Sequence, residues 1–152
     1  MGGRNFESLS GEDPYLGSRL GQAAVKGLQD NHIVAVAKHF VLNSQEENRL
    51  QVSENIDERV LHELYYPPFE SAIQAGVGAM MCSYNKINGK YSCENNSTLN
   101  EDLRGKLGFK GWVMSDWGAT HNISIDSGLD QEMAENLTLR DRPTFKHEDL
   151  AK

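Results

Sequence analysis

Three short apolar runs punctuate a largely polar chain, at residues 33–37, 78–83 and 111–116. Each is too short for a helix and shows no strict alternation, the pattern of a strand buried on both faces of a parallel sheet. Between them, apolar positions recur at helical spacing. Asp13-Pro14 supplies an N-cap and a proline at the first helical position, and Leu16, Leu20, Ala24 and Leu28 follow as an apolar stripe on one face. A second helix opens at Asp57 with Val60, Leu61 and Leu64 on its inner face. Pro67-Pro68 must kink or restart it, and Phe69 and Ile73 carry the face on towards Gly76. Thr98-Leu99-Asn100-Glu101 has the form of a capping box, Leu99, Leu103 and Leu107 form the third helix face, and Gly108 ends it.

The segments between these elements are polar. Residues 1–12 are rich in Gly and Ser and predict an irregular loop that includes Arg4. Residues 43–56 show no period and predict a long loop. Residues 85–97 predict another, with Asn85, Asn88 and Gly89 as turn formers. Residues 128–133 suggest a fourth, weaker strand, and 134–152 a polar, poorly ordered tail. Alternation of helix and strand calls for an α/β fold with a parallel sheet and helical crossovers.

Composition narrows the function. The formal net charge of -7 argues against nucleic acid as a partner. No apolar run reaches membrane-spanning length, and the first residues hold no apolar signal-peptide core. No glycine-rich phosphate loop follows a strand, which disfavours a nucleotide-dependent α/β protein. No metal cluster and no cofactor are expected. Cys82 and Cys93 fit neither a CxxC redox pair nor a metal site. They are either a local disulfide closing a hairpin-like loop or two free thiols. Three stretches read as N-glycosylation acceptors: Asn95-Asn96-Ser97 with its overlap Asn96-Ser97-Thr98, Asn122-Ile123-Ser124 and Asn136-Leu137-Thr138.

The chemistry collects where the apolar runs end. Lys38-His39 follows the first, Tyr84 the second, and Asp116-Trp117 ends the third. In a parallel sheet these ends share one face, where ligands bind. Each residue also has a plain structural role: Asp116 as a helix cap, Trp117 as core, Lys38 as a partner of Glu46 or Glu47, His39 as a half-buried histidine. Three strands ending this way form a cluster of polar groups that need partners.

The ordered motifs resemble those of family-3 glycoside hydrolases of the β-glucosidase type. They are Gly3-Arg4-Asn5-Phe6-Glu7 with Gly11-Glu12-Asp13-Pro14, Lys38-His39-Phe40 with Asn43, Gln45-Glu46 and Asn48-Arg49, and Asp57-Glu58-Arg59. After these come Pro67-Pro68-Phe69-Glu70, Met81-Cys82-Ser83-Tyr84-Asn85, Gly108-Phe109-Lys110-Gly111 and Val113-Met114-Ser115-Asp116-Trp117. The resemblance implies a partial (β/α)8 TIM-like barrel of three to four parallel strands over residues 1–133, followed by the tail 134–152. It implies Asp116 as catalytic nucleophile, and Arg4, Lys38 and His39 as donors to sugar hydroxyls. It implies Met81 and Tyr84 packed around the sugar, Trp117 as an aromatic wall, and a Cys82–Cys93 disulfide as in secreted fungal-type members.

A retaining glycosidase needs an ionised carboxylate to attack the anomeric carbon and a second carboxyl group to protonate the leaving oxygen. Asp116 matches the first role. No residue matches the second, which in the family comes from a following domain; Glu132 and Glu135 correspond to nothing catalytic. The expected function is therefore that of a retaining exo-acting β-glucosidase acting on a β-linked glucoside or oligosaccharide, with this chain carrying the nucleophile half-site. The expected parent is secreted. The alternative is a catalytically inactive truncated fragment, at most a weak sugar-binding or complementing piece.

Overall fold

The computed structural model describes residues 3, 7–10, 12–122 and 125–133. The expected tail 134–152 and the loop residue Arg4 lie outside these described residues. Among them, strands β1 (Val36–Phe40), β3 (Ala79–Cys82) and β6 (Trp112–Ser115) form a parallel sheet in the order β1-β3-β6. Between β1 and β3 run α2 (Glu58–Val60), a π-helical turn Leu61–Tyr65 and α3 (Pro67–Gln74). Between β3 and β6 lies a wider π-helix, Ser97–Lys106, while α1 (Pro14–Gln29) precedes the sheet. This is a partial TIM-like barrel, with parallel strands joined by helical crossovers.

In α1 the Asp13 carboxylate accepts the Leu16 N–H at 2.9 Å, and Pro14 opens the helix. The leucine stripe does not face the core as expected: Leu16, Leu20 and Leu28 are 41–44% exposed, and the buried positions are Gly17 and Val25. The cause is close packing on α3 through small residues. A Cβ on Gly17 would stand 3.2 Å from Pro68 Cγ, and Ser71 Oγ donates to the Ser18 carbonyl at 3.0 Å. Leu28, with Ala24 and Val36, instead borders a groove of about 460 Å³ between α1 and β1.

Strand β1 begins three residues later than the apolar run. His32, in the left-handed region at φ 60°, and Ile33, whose N–H reaches back to the Leu28 carbonyl at 3.1 Å, close the end of α1. Lys38 and His39 therefore lie within β1 rather than after it. The Lys38–His39 and Phe40–Val41 peptide bonds are cis.

Only the central strand β3 is buried along its whole length. The edge strands depart from the expectation of burial on both faces, with Val36 and Trp112 each 39% exposed. They lie at the margins of the sheet, where one face has no cover among the described residues. On the covered face Met80 and Val113, in register, pack among Ala72, Leu99 and Leu103. On the other, Lys38, Met81 and Met114 stand in register across the three strands.

Both long loops hold structure that their polarity concealed. Strand β2 (Ser53–Glu54) pairs with β4 (Lys86–Ile87), which forms a hairpin with β5 (Lys90–Tyr91). The two-residue turn is Asn88-Gly89, with φ 49° and 87°, the paired left-handed conformations of a type I′ turn that this dipeptide favours. A disulfide joins Cys82 to Cys93 across this excursion, with Cα atoms 5.2 Å apart. The expected fourth strand reduces to one parallel bridge, Met114 with Gln131, supported by the Ser115 N–H bonding the Gln131 carbonyl at 2.9 Å.

The expected capping box is displaced. The helix starts at Ser97, and Thr98 lies inside it. The Asn95 side chain accepts the Thr98 N–H at 3.4 Å, while Glu101 bonds Asn96 and Ser97. The second helix also departs from the expected inner face. Leu61 is buried, whereas Val60 and Leu64 are 42% and 37% exposed, because the π turn adds a residue per cycle and rotates Tyr66 inward. Tyr66 is fully buried, stacks on Phe40 at 5.4 Å and donates to the Asp102 carboxylate at 2.7 Å. Lys106 pairs with the other Asp102 oxygen at 2.8 Å.

Two expectations follow. A Cβ at Gly111 would lie 2.0 Å from the Gly78 carbonyl oxygen, where β6 meets β3, so Gly111→Ala should lower stability by about 1–3 kcal/mol in urea titration. The same change at Gly27, whose Cβ would meet nothing within 4 Å, should be neutral or stabilise by about 0.5–1 kcal/mol. Second, burial and then the Asp102 hydrogen bond and charge push the Tyr66 phenol above its ordinary value. The unfolded chain therefore loses this proton first. The stabilisation is complete below the unfolded value of about 10 and is lost as pH rises beyond it. Tyr66→Phe should flatten that alkaline decline in thermal melts read from pH 8 to 11.

Candidate functional site

The site forms at the carboxyl ends of β1, β3 and β6. Asp116 directly follows β6 and is 7% exposed. His39, one residue before the end of β1, brings Nε2 to 3.1 Å from Asp116 Oδ2, with both side chains about nine-tenths buried. Tyr84 follows β3; its hydroxyl donates to the Trp117 carbonyl at 2.8 Å. The Trp117 indole itself is largely open to solvent, with the residue 45% exposed. Met81 lies between Lys38 and Met114 in the sheet register.

Lys38 points its ammonium at Glu7, 2.6 Å away. The pair is roughly a third exposed, so water screens it and its net contribution to stability is small. Its consequence is geometric: the pair ties Glu7 to β1. The Arg49 guanidinium lies over the Tyr84 ring, 4.4 Å from the centroid, and also pairs with Glu46 at 3.0 Å.

A buried polar lattice holds these groups in place. Ser92 Oγ donates to the Phe40 carbonyl at 2.6 Å and accepts the Ser83 N–H at 3.1 Å. Ser83 Oγ and Asn85 Nδ2 both donate to the Val41 carbonyl, at 3.1 and 3.2 Å. The two carbonyls directly after His39 are thus fixed by side chains from the end of β3 and from the loop that the disulfide ties down. Ser83, Asn85 and Ser92 are essentially inaccessible, so loss of the Ser83 hydroxyl's bond would leave a buried donor unsatisfied, at a cost of about 1–3 kcal/mol.

Of the residues singled out from the sequence, His39, Tyr84, Asp116 and Trp117 meet directly or through one shared contact. Lys38 and Met81 sit beside them on the sheet. Glu7, Arg49 and the Ser83–Asn85–Ser92 lattice join the cluster without having been assigned a role. Glu7 and Arg49 do fall within the motifs Gly3-Arg4-Asn5-Phe6-Glu7 and Asn48-Arg49, which was the signal available. The groove between α1 and β1 touches Lys38 and His39 at one end but is otherwise largely apolar, and Asp116 does not line it. Among the described residues no group of three or more His, Cys, Asp or Glu side chains could hold a metal ion, and no helix is long and apolar enough to cross a membrane.

A buried carboxylate facing an imidazole, with a phenol, a lysine and an arginine nearby, can act as nucleophile or base towards a ligand rich in hydroxyls. Comparison with known proteins gives the family. The family model for the glycosyl hydrolase family 3 N terminal domain matches residues 1–139. The chain is 50% identical over 86% of its length to probable beta-glucosidase L of Emericella nidulans, of which it covers 18%. Among solved structures it resembles beta-glucosidase D2-BGL from Chaetomella raphigera, with a TM-score of 0.91 and 44% identity over 99% of this chain and 21% of that one. It also resembles DesR, a beta-glucosidase from Streptomyces venezuelae solved with D-glucose, with a TM-score of 0.87 and 45% identity over 95% of this chain and 19% of that one. The chain thus spans about a fifth of the length of the relatives it matches. With a matching order of motifs, a matching sheet and a family model that covers nearly all of its residues, the chain belongs to glycosyl hydrolase family 3, in that family's N-terminal domain.

Proposed function

We propose that the chain is the nucleophile-bearing part of a retaining, exo-acting β-glucosidase. The observation that carries this reading is the buried Asp116–His39 contact at the carboxyl end of the parallel sheet, in a family whose members compared above are named beta-glucosidases. In the proposed mechanism an Asp116 oxygen attacks the anomeric carbon of a β-glucoside. The bond to the aglycone oxygen breaks, and a carboxyl group supplied from outside this chain protonates that oxygen. Water then opens the glycosyl ester with the same group acting as base. His39 orients the carboxylate and, with Lys38 and Arg4, donates to sugar hydroxyls. Met81 and Tyr84 pack around the ring, and the exposed Trp117 indole offers a flat apolar surface to the C–H face of the pyranose. The whole enzyme is secreted; the Cys82–Cys93 disulfide suits an oxidising compartment. Residues 1–133 form the barrel part of this enzyme.

The isolated chain is a half-site. Its edge strands β1 and β6 expose Val36 and Trp112, and open sheet edges favour association. Without a proton donor the leaving alkoxide is unassisted, and general acid catalysis alone contributes about 10²–10⁴-fold.

The test compares two forms across a panel of aryl β-glycosides. The chain alone should be poorly soluble and show no turnover of disaccharides. Dinitrophenyl glucoside, whose leaving group needs no proton, could give at most a slow burst. The chain within a full-length family-3 polypeptide should turn over cellobiose, and Asp116→Ala there should cut kcat on the order of 10⁴-fold or more. Ordinary disaccharide hydrolysis by the isolated chain would overturn the half-site reading and make Glu46, Glu47 or Glu132 the acid.

A further inference from the structure

Two overlapping acceptor tripeptides, Asn95-Asn96-Ser97 and Asn96-Ser97-Thr98, compete for one attachment, and the fold separates them. Asn95 is 5% exposed. Its Nδ2 donates to the Ile87 carbonyl at 3.3 Å, and its Oδ1 accepts the Thr98 N–H at 3.4 Å. The Thr98 hydroxyl bonds the Asn95 carbonyl at 3.2 Å. A sugar on Asn95 Nδ2 would have to occupy the space between that nitrogen and the β4 backbone, and would undo the cap of the Ser97–Lys106 helix. Asn96 is its opposite. It is exposed, as is Ser97, and its bonds are to other surface side chains: Nδ2 to Glu101 at 3.1 Å, and Oδ1 from Asn100 at 2.8 Å. A glycosylated asparagine keeps one N–H, so the Glu101 bond can survive attachment.

We propose that Asn96, and not its neighbour Asn95, is an N-glycosylation site of the folded protein. The inference rests on the proposed entry of this protein into the secretory pathway. The donor class is a lipid-linked oligosaccharide diphosphate. Asn96 Nδ2 forms a bond to the anomeric carbon, the carbon–oxygen bond to the diphosphate breaks, the lipid diphosphate leaves with the electron pair, and one amide proton is lost. The hydroxyl two residues on that the acceptor motif requires comes from Thr98. Attachment precedes folding, so a nascent chain modified at Asn95 is one that cannot reach this structure.

The experiment expresses a full-length family-3 polypeptide that contains this chain behind a heterologous secretory leader in yeast, which makes the site test independent of the natural protein's destination. Proteolytic peptides are deglycosylated by peptide N-glycosidase in ¹⁸O water, which turns each modified Asn into ¹⁸O-labelled Asp, and are mapped by mass in the secreted and the cell-retained fractions alike. The expected mark is on Asn96, with none on Asn95 in the soluble protein. Ser97→Ala deletes the Asn95 acceptor and keeps the Asn96 acceptor, so occupancy should persist. Asn96→Gln keeps the Asn95 acceptor, and its soluble fraction should carry no sugar in this segment. An unmodified Asn96 in both fractions, or a marked Asn95 in soluble protein, would overturn the proposal. The secretory premise is tested separately by alkylating the protein from its natural source. Free Cys82 and Cys93 thiols would refute that premise while leaving the acceptor result standing.

Discussion

Everything at the site depends on how the chain leaves β1. His39 can meet Asp116 only if the backbone after it is held in one course, and that backbone turns away with its Phe40 and Val41 carbonyls buried. Ser92, Ser83 and Asn85 bind those two carbonyls, so the imidazole is positioned by hydrogen bonds from the end of the neighbouring strand β3 and from the turn after β5. The disulfide acts on the same constraint from the other side. Cys93 directly follows Ser92, and its bond to Cys82 at the end of β3 keeps the lattice donor over its acceptor. Packing and polar satisfaction here serve a single distance, the 3.1 Å between His39 and Asp116.

The site residues carry little freedom. Tyr84 is fixed at both ends, its ring under Arg49 and its hydroxyl on the Trp117 carbonyl. Asp116 follows β6 and meets His39 of β1 across the end of the sheet. Preorganisation of this kind suits the nucleophilic role proposed for Asp116, since misplacement of an attacking atom by about an ångström is costly. The open faces of β1 and β6 mark the contrast. Where the sheet runs out, Val36 and Trp112 are paired on one side only among the described residues.

The helices and strands were legible wherever a cap or an apolar run stood alone. Asp13-Pro14 and Asp57 start helices as their chemistry demands, and the three runs each produced a strand. Legibility failed where tertiary contact overrode local pattern. Ile33 is as apolar as Val36, yet it belongs to the close of α1, because its N–H is needed at the Leu28 carbonyl. The α1 leucines make a clean stripe, but Gly17 permits the closer approach to α3, and that contact decides the rotation of the helix. Thr98 has the right neighbours for a cap, but Asn95 reaches the same N–H from a buried position. The short strands β2, β4 and β5 were hidden because two-residue strands leave no periodicity, and only the Asn88-Gly89 turn betrayed them. The clustering of His39, Tyr84, Asp116 and Trp117 was legible because they sit at or near strand ends. The lattice that positions them was not, since a buried serine and an exposed serine look alike in a sequence.

The proposed role of Asp116 is that of nucleophile in a retaining hydrolase. The direct measurement is to trap the intermediate. A full-length family-3 polypeptide that contains this chain is inactivated with a 2-deoxy-2-fluoro-β-glucoside carrying a dinitrophenolate leaving group, digested and mapped by mass. The account predicts one fluoroglucosyl ester, on the peptide carrying Asp116 and on its carboxylate. An ester on another carboxylate, or inactivation-free turnover with inverted anomeric configuration, would contradict it.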